Sequence, residues 1–242
     1  MTTGRFITYC VLALTAGYSC LTFYPNLLFR SPYEYKNISL YTRAPVSEHG
    51  AGPLPAPADA LLERVYNTVM SDVYLDPGAE FEIYLTGGYK EYMFLAPFCA
   101  KAQSCLHPVS HKVFIASSDL DKNAVYGRDP AGKPRVLENV MVHDLVLAQM
   151  QKKLGFINYI ALRAWLKEGY AEHVARETVE MEAAAICGKR DKSAPLVQYL
   201  ESRLMLDLVK GETPDMNYPE LIASNIAYDS TRKRVMERNC AR

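Results

Sequence analysis

The sequence predicts an α+β fold: an N-terminal transmembrane helix, then a domain in which a small sheet precedes a mostly helical half. Three observations carry this. Residues 6–24 (FITYCVLALTAGYSCLTFY) are an uncharged run of 19 residues, long enough for a helix across a bilayer. Short apolar or aromatic runs at 81–85, 92–95 and 112–116 have the length and composition of strands. Beyond them, apolar residues recur at helical spacing over 136–154, 165–186 and 195–209.

Taken in order, residues 1–30 read as a single-pass signal-anchor, with Arg5 before the uncharged run, Arg30 after it, and Tyr24, Tyr33 and Tyr35 available for the membrane interface. A cleaved signal peptide is the rival reading, although its apolar core spans only ~7–15 residues. Charge hardly chooses an orientation, since Arg5 stands against Arg30 and Lys36. The expectation is a membrane-anchored chain whose main domain lies outside the cytoplasm, in the periplasm. Residues 31–58 read as a linker, rich in Pro, Gly and Ala over 44–58. Residues 59–242 then form the domain. Asp59 is placed to cap a helix carrying Leu61, Leu62, Val65, Tyr66 and Val69 on one face. Asp76-Pro77-Gly78 marks a turn, and 119–134 has loop composition. In the helix over 136–154, Leu137, Val140, Met141, Leu145, Ala148 and Leu154 supply a core face and Gly155 a stop; Gly169 weakens the start of the next helix.

Composition narrows the function classes. Apolar residues make up 49 % and charged ones 22 %, the balance of a chain that buries a core. Lys plus Arg and Asp plus Glu are equal at 27 each with no polybasic run, which removes the electrostatic case for nucleic acid. Cys10 and Cys20 lie within the uncharged run. Cys99, Cys105, Cys187 and Cys240 permit two disulfides, with Cys99 and Cys105 close enough to pair locally, or else four buried thiols; none has the paired CxxC spacing of a zinc site. There is no Gly-rich phosphate loop and no Gly-x-Ser-x-Gly elbow.

The chemistry-bearing residues fall in two blocks: Val140-Met-Val-His143-Asp144-Leu-Val-Leu147, and Trp165-Leu-Lys-Glu168-Gly-Tyr-Ala-Glu172-His173. Positions four apart share a helix face, which lets a His-Glu-x-x-His segment aim two imidazoles at one zinc while a second helix supplies a Glu. Over residues 59–177 the chain resembles gluzincin peptidases, the thermolysin-like or peptidase MA-like superfamily, and among them small membrane-anchored bacterial members. The resemblance implies a zincin-like domain, with His143 at the first zinc ligand, Asp144 at the general base and Glu168 at the third ligand. It also implies that the strand at 112–116 borders a substrate cleft.

The departures are chemical. Asp144 is one methylene shorter than the Glu expected there. Leu147 stands where the second His belongs and has no lone pair, so the metal site is partial, with only His143 and Glu168. Glu172, about 40° around the helix from Glu168, is placed to orient His143; His173 lies about 140° away, and His107 and His111 are further donors that sequence does not place. The first expectation is a membrane-anchored, catalytically inactive metallopeptidase-like protein that binds a peptide or envelope protein. One alternative is an active zinc peptidase with a rearranged set (His143, Glu168 and His111 or Glu172, with Asp144 acting on water). The other is a structural membrane-tethered module without a metal, in which His143 hydrogen-bonds locally and Trp165 and Leu147 pack the core.

Overall fold

A computed structural model describes residues 3–29, 32–42, 56–99, 102–128, 133–188 and 195–240. Helix takes 59 % and strand 12 % of it, in a mixed α/β arrangement rather than a sheet followed by helices. Helix α1 (Thr3–Phe23) leads through a short 3-10 turn (Pro25–Leu28) to strands β1 (Tyr33–Tyr35) and β2 (Ile38–Thr42). Then come α2 (Ala56–Val69), β3 (Phe81–Leu85), α3 (Tyr89–Leu95), β4 (Ser104–Leu106) and β5 (Val113–Ile115). Strands β6 (Ser118–Asp119), β7 (Ala124–Val125) and β8 (Arg135–Val136) form a small second sheet. The rest is helical: α4 (Leu137–Leu154), α5 (Phe156–Ala161), α6 (Ala164–Ala175), α7 (Pro195–Glu212), α8 (Tyr218–Ala223) and α9 (Tyr228–Cys240), with a 3-10 turn at Ala183–Cys187.

The main sheet runs in the order β1-β2-β3-β5-β4. Its centre is parallel, β3 pairing with β2 and β5, and both edges are antiparallel. Helices α2 and α3 therefore fall between parallel strands, which is why the expected separation of sheet from helices does not hold. Strand alternation splits the core. Ile38, Leu40, Phe81, Ile83, Leu85, Val113 and Ile115 face the large core shared with α2, α4, α6 and α7, whereas Tyr84 and Phe114 face the opposite side with Tyr92 and Leu95 of α3.

Several expectations are corrected. No helix among the described residues is long and apolar enough to cross a membrane, so the N-terminal transmembrane helix, and the single-pass membrane localisation built on it, fall away. Helix α1 has the length, but Thr8, Thr15, Ser19, Thr22 and two glycines dilute its apolar character. The Thr15 and Thr22 hydroxyls donate to carbonyls of their own helix, at 2.9 Å each. Its C-terminal end rests on the domain, where the Tyr18 hydroxyl donates to the Phe94 carbonyl at 2.8 Å. Within the expected linker, residues 33–42 form the β1–β2 hairpin; residues 43–55 lie outside the described residues. Helix α2 begins at Ala56, which puts Asp59 in its first turn rather than at its cap. Residues 92–95, expected as a strand, belong to α3, with Tyr92 and Leu95 buried at i, i+3. The stretch over 165–186 breaks at Arg176, which takes a left-handed conformation with φ 57°.

Both local and distant cysteines pair, Cys99 with Cys105 and Cys187 with Cys240. The second bond ties the segment after α6 to the C-terminal end of α9 across a separation of 53 residues.

Candidate functional site

Helix α4 is buried over most of its length, so its polar residues are held against α6 and the sheet rather than against solvent. His143, Asp144 and Leu147 are 1 %, 4 % and 6 % exposed. Helix α6 can lie close because of Gly169: a Cβ there would come within 2.5 Å of the Ser202 carbonyl oxygen of α7. This approach stacks the three helices and brings Tyr199 of α7 onto the His143 ring, with centroids 4.5 Å apart and planes inclined by 36°.

His143 lies between two carboxylates of α6. Its Nε2 is 2.9 Å from Glu168 Oε2, a charge-assisted hydrogen bond when the ring is protonated. Its Nδ1 is 3.9 Å from Glu172 Oε2, too long for a hydrogen bond, so both of those atoms lack a hydrogen-bond partner and meet only as charges. Burial works against a charged imidazole. The Glu168 hydrogen bond and the nearby Glu172 outweigh it and raise His143 from its ordinary 6.5 to about 10. Glu172, fully buried, uses its other oxygen to accept from the Thr178 amide at 2.6 Å and hydroxyl at 2.8 Å. Burial pushes its carboxyl up; His143 and Thr178 overcome that and hold it below the usual range. Arg203 braces the loop from behind, donating to the Thr178 hydroxyl at 3.0 Å and carbonyl at 3.2 Å.

Asp144 points into a less favourable place. Burial raises its carboxyl to about 6, against the pull of His143, Ser104 of β4 and Arg135. Arg135 is itself committed to Glu177 by two hydrogen bonds of 2.8 and 2.6 Å and lies 5.3 Å over the Tyr199 ring. Glu168 alone reaches solvent, with its side chain 33 % exposed.

The structure therefore brings His143, Asp144, Glu168 and Glu172 together. It places the other sequence-marked donors elsewhere. His111 Nδ1 meets Gln151 Oε1 at 2.8 Å, His107 Nδ1 accepts from the Val109 and Ser110 amides, and His173 faces Tyr218 and Asp207. Leu147 fills the core one turn beyond His143. Among the described residues no group of three or more His, Cys, Asp or Glu side chains could hold a metal ion. This corrects the rearranged ligand set, in which His111 or Glu172 would have made a third ligand beside His143 and Glu168. The donor set is short of a catalytic zinc site: His143 and Glu168 stand together, and the next position on the His143 face is the aliphatic Leu147.

Sequence reasoning missed Tyr199, Arg135, Glu177, Thr178 and Arg203, which complete the cluster. Nothing in the sequence marks them: the burial of Arg135 is visible only in the structure. No family model, curated protein or solved structure matches the chain.

Proposed function

We propose that this chain is a gluzincin-like protein without peptidase activity that binds a peptide segment. The observation that carries the reading is the direct His143–Glu168 contact at 2.9 Å with Leu147 buried one turn away. Two helices present residues in the places of two zinc ligands, and an imidazolium–carboxylate pair occupies the space between them. A metal is replaced by a proton: the charge that two carboxylates would have shared with a cation is balanced by His143.

Binding rather than cleavage is supported by β4. Among the described residues it is the antiparallel edge of the main sheet, pairing with β5, and its Ser104 adjoins Asp144. Ser104 and Cys105 are buried and Leu106 is the partly exposed end of the strand, so an extended peptide would add, main chain to main chain, at Leu106.

The inherited site is tested by Asp144→Glu with Leu147→His in one chain. The folded double variant takes up near-stoichiometric zinc, read by mass spectrometry, while the parent takes up none; a folded double variant that stays metal-free removes the gluzincin reading. The peptide reading is tested on a displayed random-peptide panel, where Leu106→Pro in β4 should abolish capture. Equal capture by the proline variant would move binding away from this edge.

A further inference from the structure

A second feature shares no residue with the His143 cluster. A cavity of about 520 Å³ lies between the C-terminal end of α2, the first turns of α4, the C-terminal half of α6 and Tyr218 of α8. That is the size of a small-molecule site. Asp72 lines it at 6 % exposure. Oδ1 accepts from the Tyr170 hydroxyl at 2.5 Å and from the Tyr74 amide at 3.2 Å. Oδ2 is buried and has no hydrogen-bond partner. Among the described residues no Lys, Arg or His nitrogen forms an ion pair with this carboxylate, and burial pushes its carboxyl above the usual range.

The other ionisable walls are occupied or turned out. Glu138 takes Arg64 at 2.8 Å, His173 lies 3.3 Å from Asp207, and Arg176 is exposed at the end of α6. Tyr170 and Tyr218 line the cavity with ring centroids 5.2 Å apart, and the Tyr218 hydroxyl is tied to His173 Nε2 at 2.9 Å. The C-termini of α2 and α6 and the N-termini of α4 and α8 all meet here, so their opposite partial charges offset and the Asp72 carboxylate is left as the buried charge without a counter-ion among the described residues. The electrostatics select a cation, and the bare oxygen selects one that can donate a hydrogen bond. The aromatic rings favour an apolar body next to the charge.

We propose that this cavity binds a small organic molecule through a primary ammonium group that donates to Asp72 Oδ2, with the molecule's apolar part against Tyr170 and Tyr218. The probe is phenethylammonium, titrated into the full chain by ligand-observed NMR beside 2-phenylethanol and phenethyltrimethylammonium. The amine binds saturably, and both analogues bind at least tenfold more weakly, because one lacks the charge and the other the donor. Asp72→Asn weakens the amine at least tenfold. Ser71→Trp, placed on the exposed rim and leaving every Asp72 contact in place, blocks it. Absence of saturable amine binding, equal affinity for either analogue, or full-strength binding to folded Ser71→Trp would overturn the proposal.

Discussion

Glu172 and Asp72 are carboxylates buried to nearly the same depth, 0 % and 6 % exposed, and each keeps one oxygen without a hydrogen-bond partner. Burial pushes both carboxyls up. Their net shifts are opposite: Glu172 is held below the usual range and Asp72 above it. The difference lies in what faces the bare oxygen. Glu172 Oε2 has His143 Nδ1 at 3.9 Å, whereas Asp72 has a tyrosine hydroxyl and an amide on its other oxygen and, among the described residues, no cation. Desolvation sets the size of the penalty, and the presence of a counter-charge sets its sign. One site is electrostatically closed, and the other has room for a positive group.

The largest effect should come from breaking the closed site. His143→Leu strands Glu172 without its cation and should cost about 3–5 kcal/mol of unfolding free energy, the range for removing one partner of a buried pair. Denaturant titration reads it, and the same substitution placed in Glu172→Gln should cost much less; equal costs in the two backgrounds would mean that the pair is not coupled.

Next in size is a pH dependence. The unfolded imidazole titrates near 6.5 and the folded one near 10, so between these values the folded state holds a proton that the unfolded state has lost. The stabilisation is fully present below about pH 6.5 and is lost as pH rises through about 10. Unfolding free energy should fall over that window, by at most about 1.4 kcal/mol per pH unit from one group, and His143→Gln should flatten the slope. An unchanged slope in the variant would assign the dependence to other groups.

Charge removal then separates the two carboxylates directly. Glu172→Gln should destabilise by about 1–3 kcal/mol, because His143 loses a counter-charge and Thr178 keeps only a neutral acceptor. Asp72→Asn should be the smallest effect, within about 1 kcal/mol and towards greater stability at neutral pH, because it removes a buried charge that nothing balances while Oδ1 still accepts. Matching signs for the two variants would break the comparison.

The two regions also differ in how far a sequence can reveal them. Helical spacing is enough to put His143 and Leu147 on one face and Glu168 and Glu172 on another, because a helix converts separation into direction. It says nothing of Tyr199, which reaches His143 only after Gly169 lets α6 settle on α7. Nor does it reveal Arg135–Glu177, whose partners are joined through tertiary packing 42 residues apart. The Asp72 cavity is built where four helix ends meet, and Asp72 reads locally as a turn residue. The fold shows the same limit. Tyr92–Leu95 is too short an apolar run for period to separate helix from strand, and β1–β2 owes its identity to pairing with β3 rather than to its own pattern. The uncharged run in α1 has spanning length, but its hydroxyls and glycines leave no helix apolar enough to cross a membrane among the described residues.

The central claim is that a protonated His143 is shared between Glu168 and Glu172, in the place that the proposed gluzincin-like reading assigns to a metal. The most direct measurement is the nitrogen NMR spectrum of the His143 ring in the full chain at about pH 8, with and without equimolar zinc. The account predicts an imidazolium, both ring nitrogens protonated, and no change on adding zinc. A neutral ring whose Nε2 signal moves on adding one equivalent of zinc would contradict it.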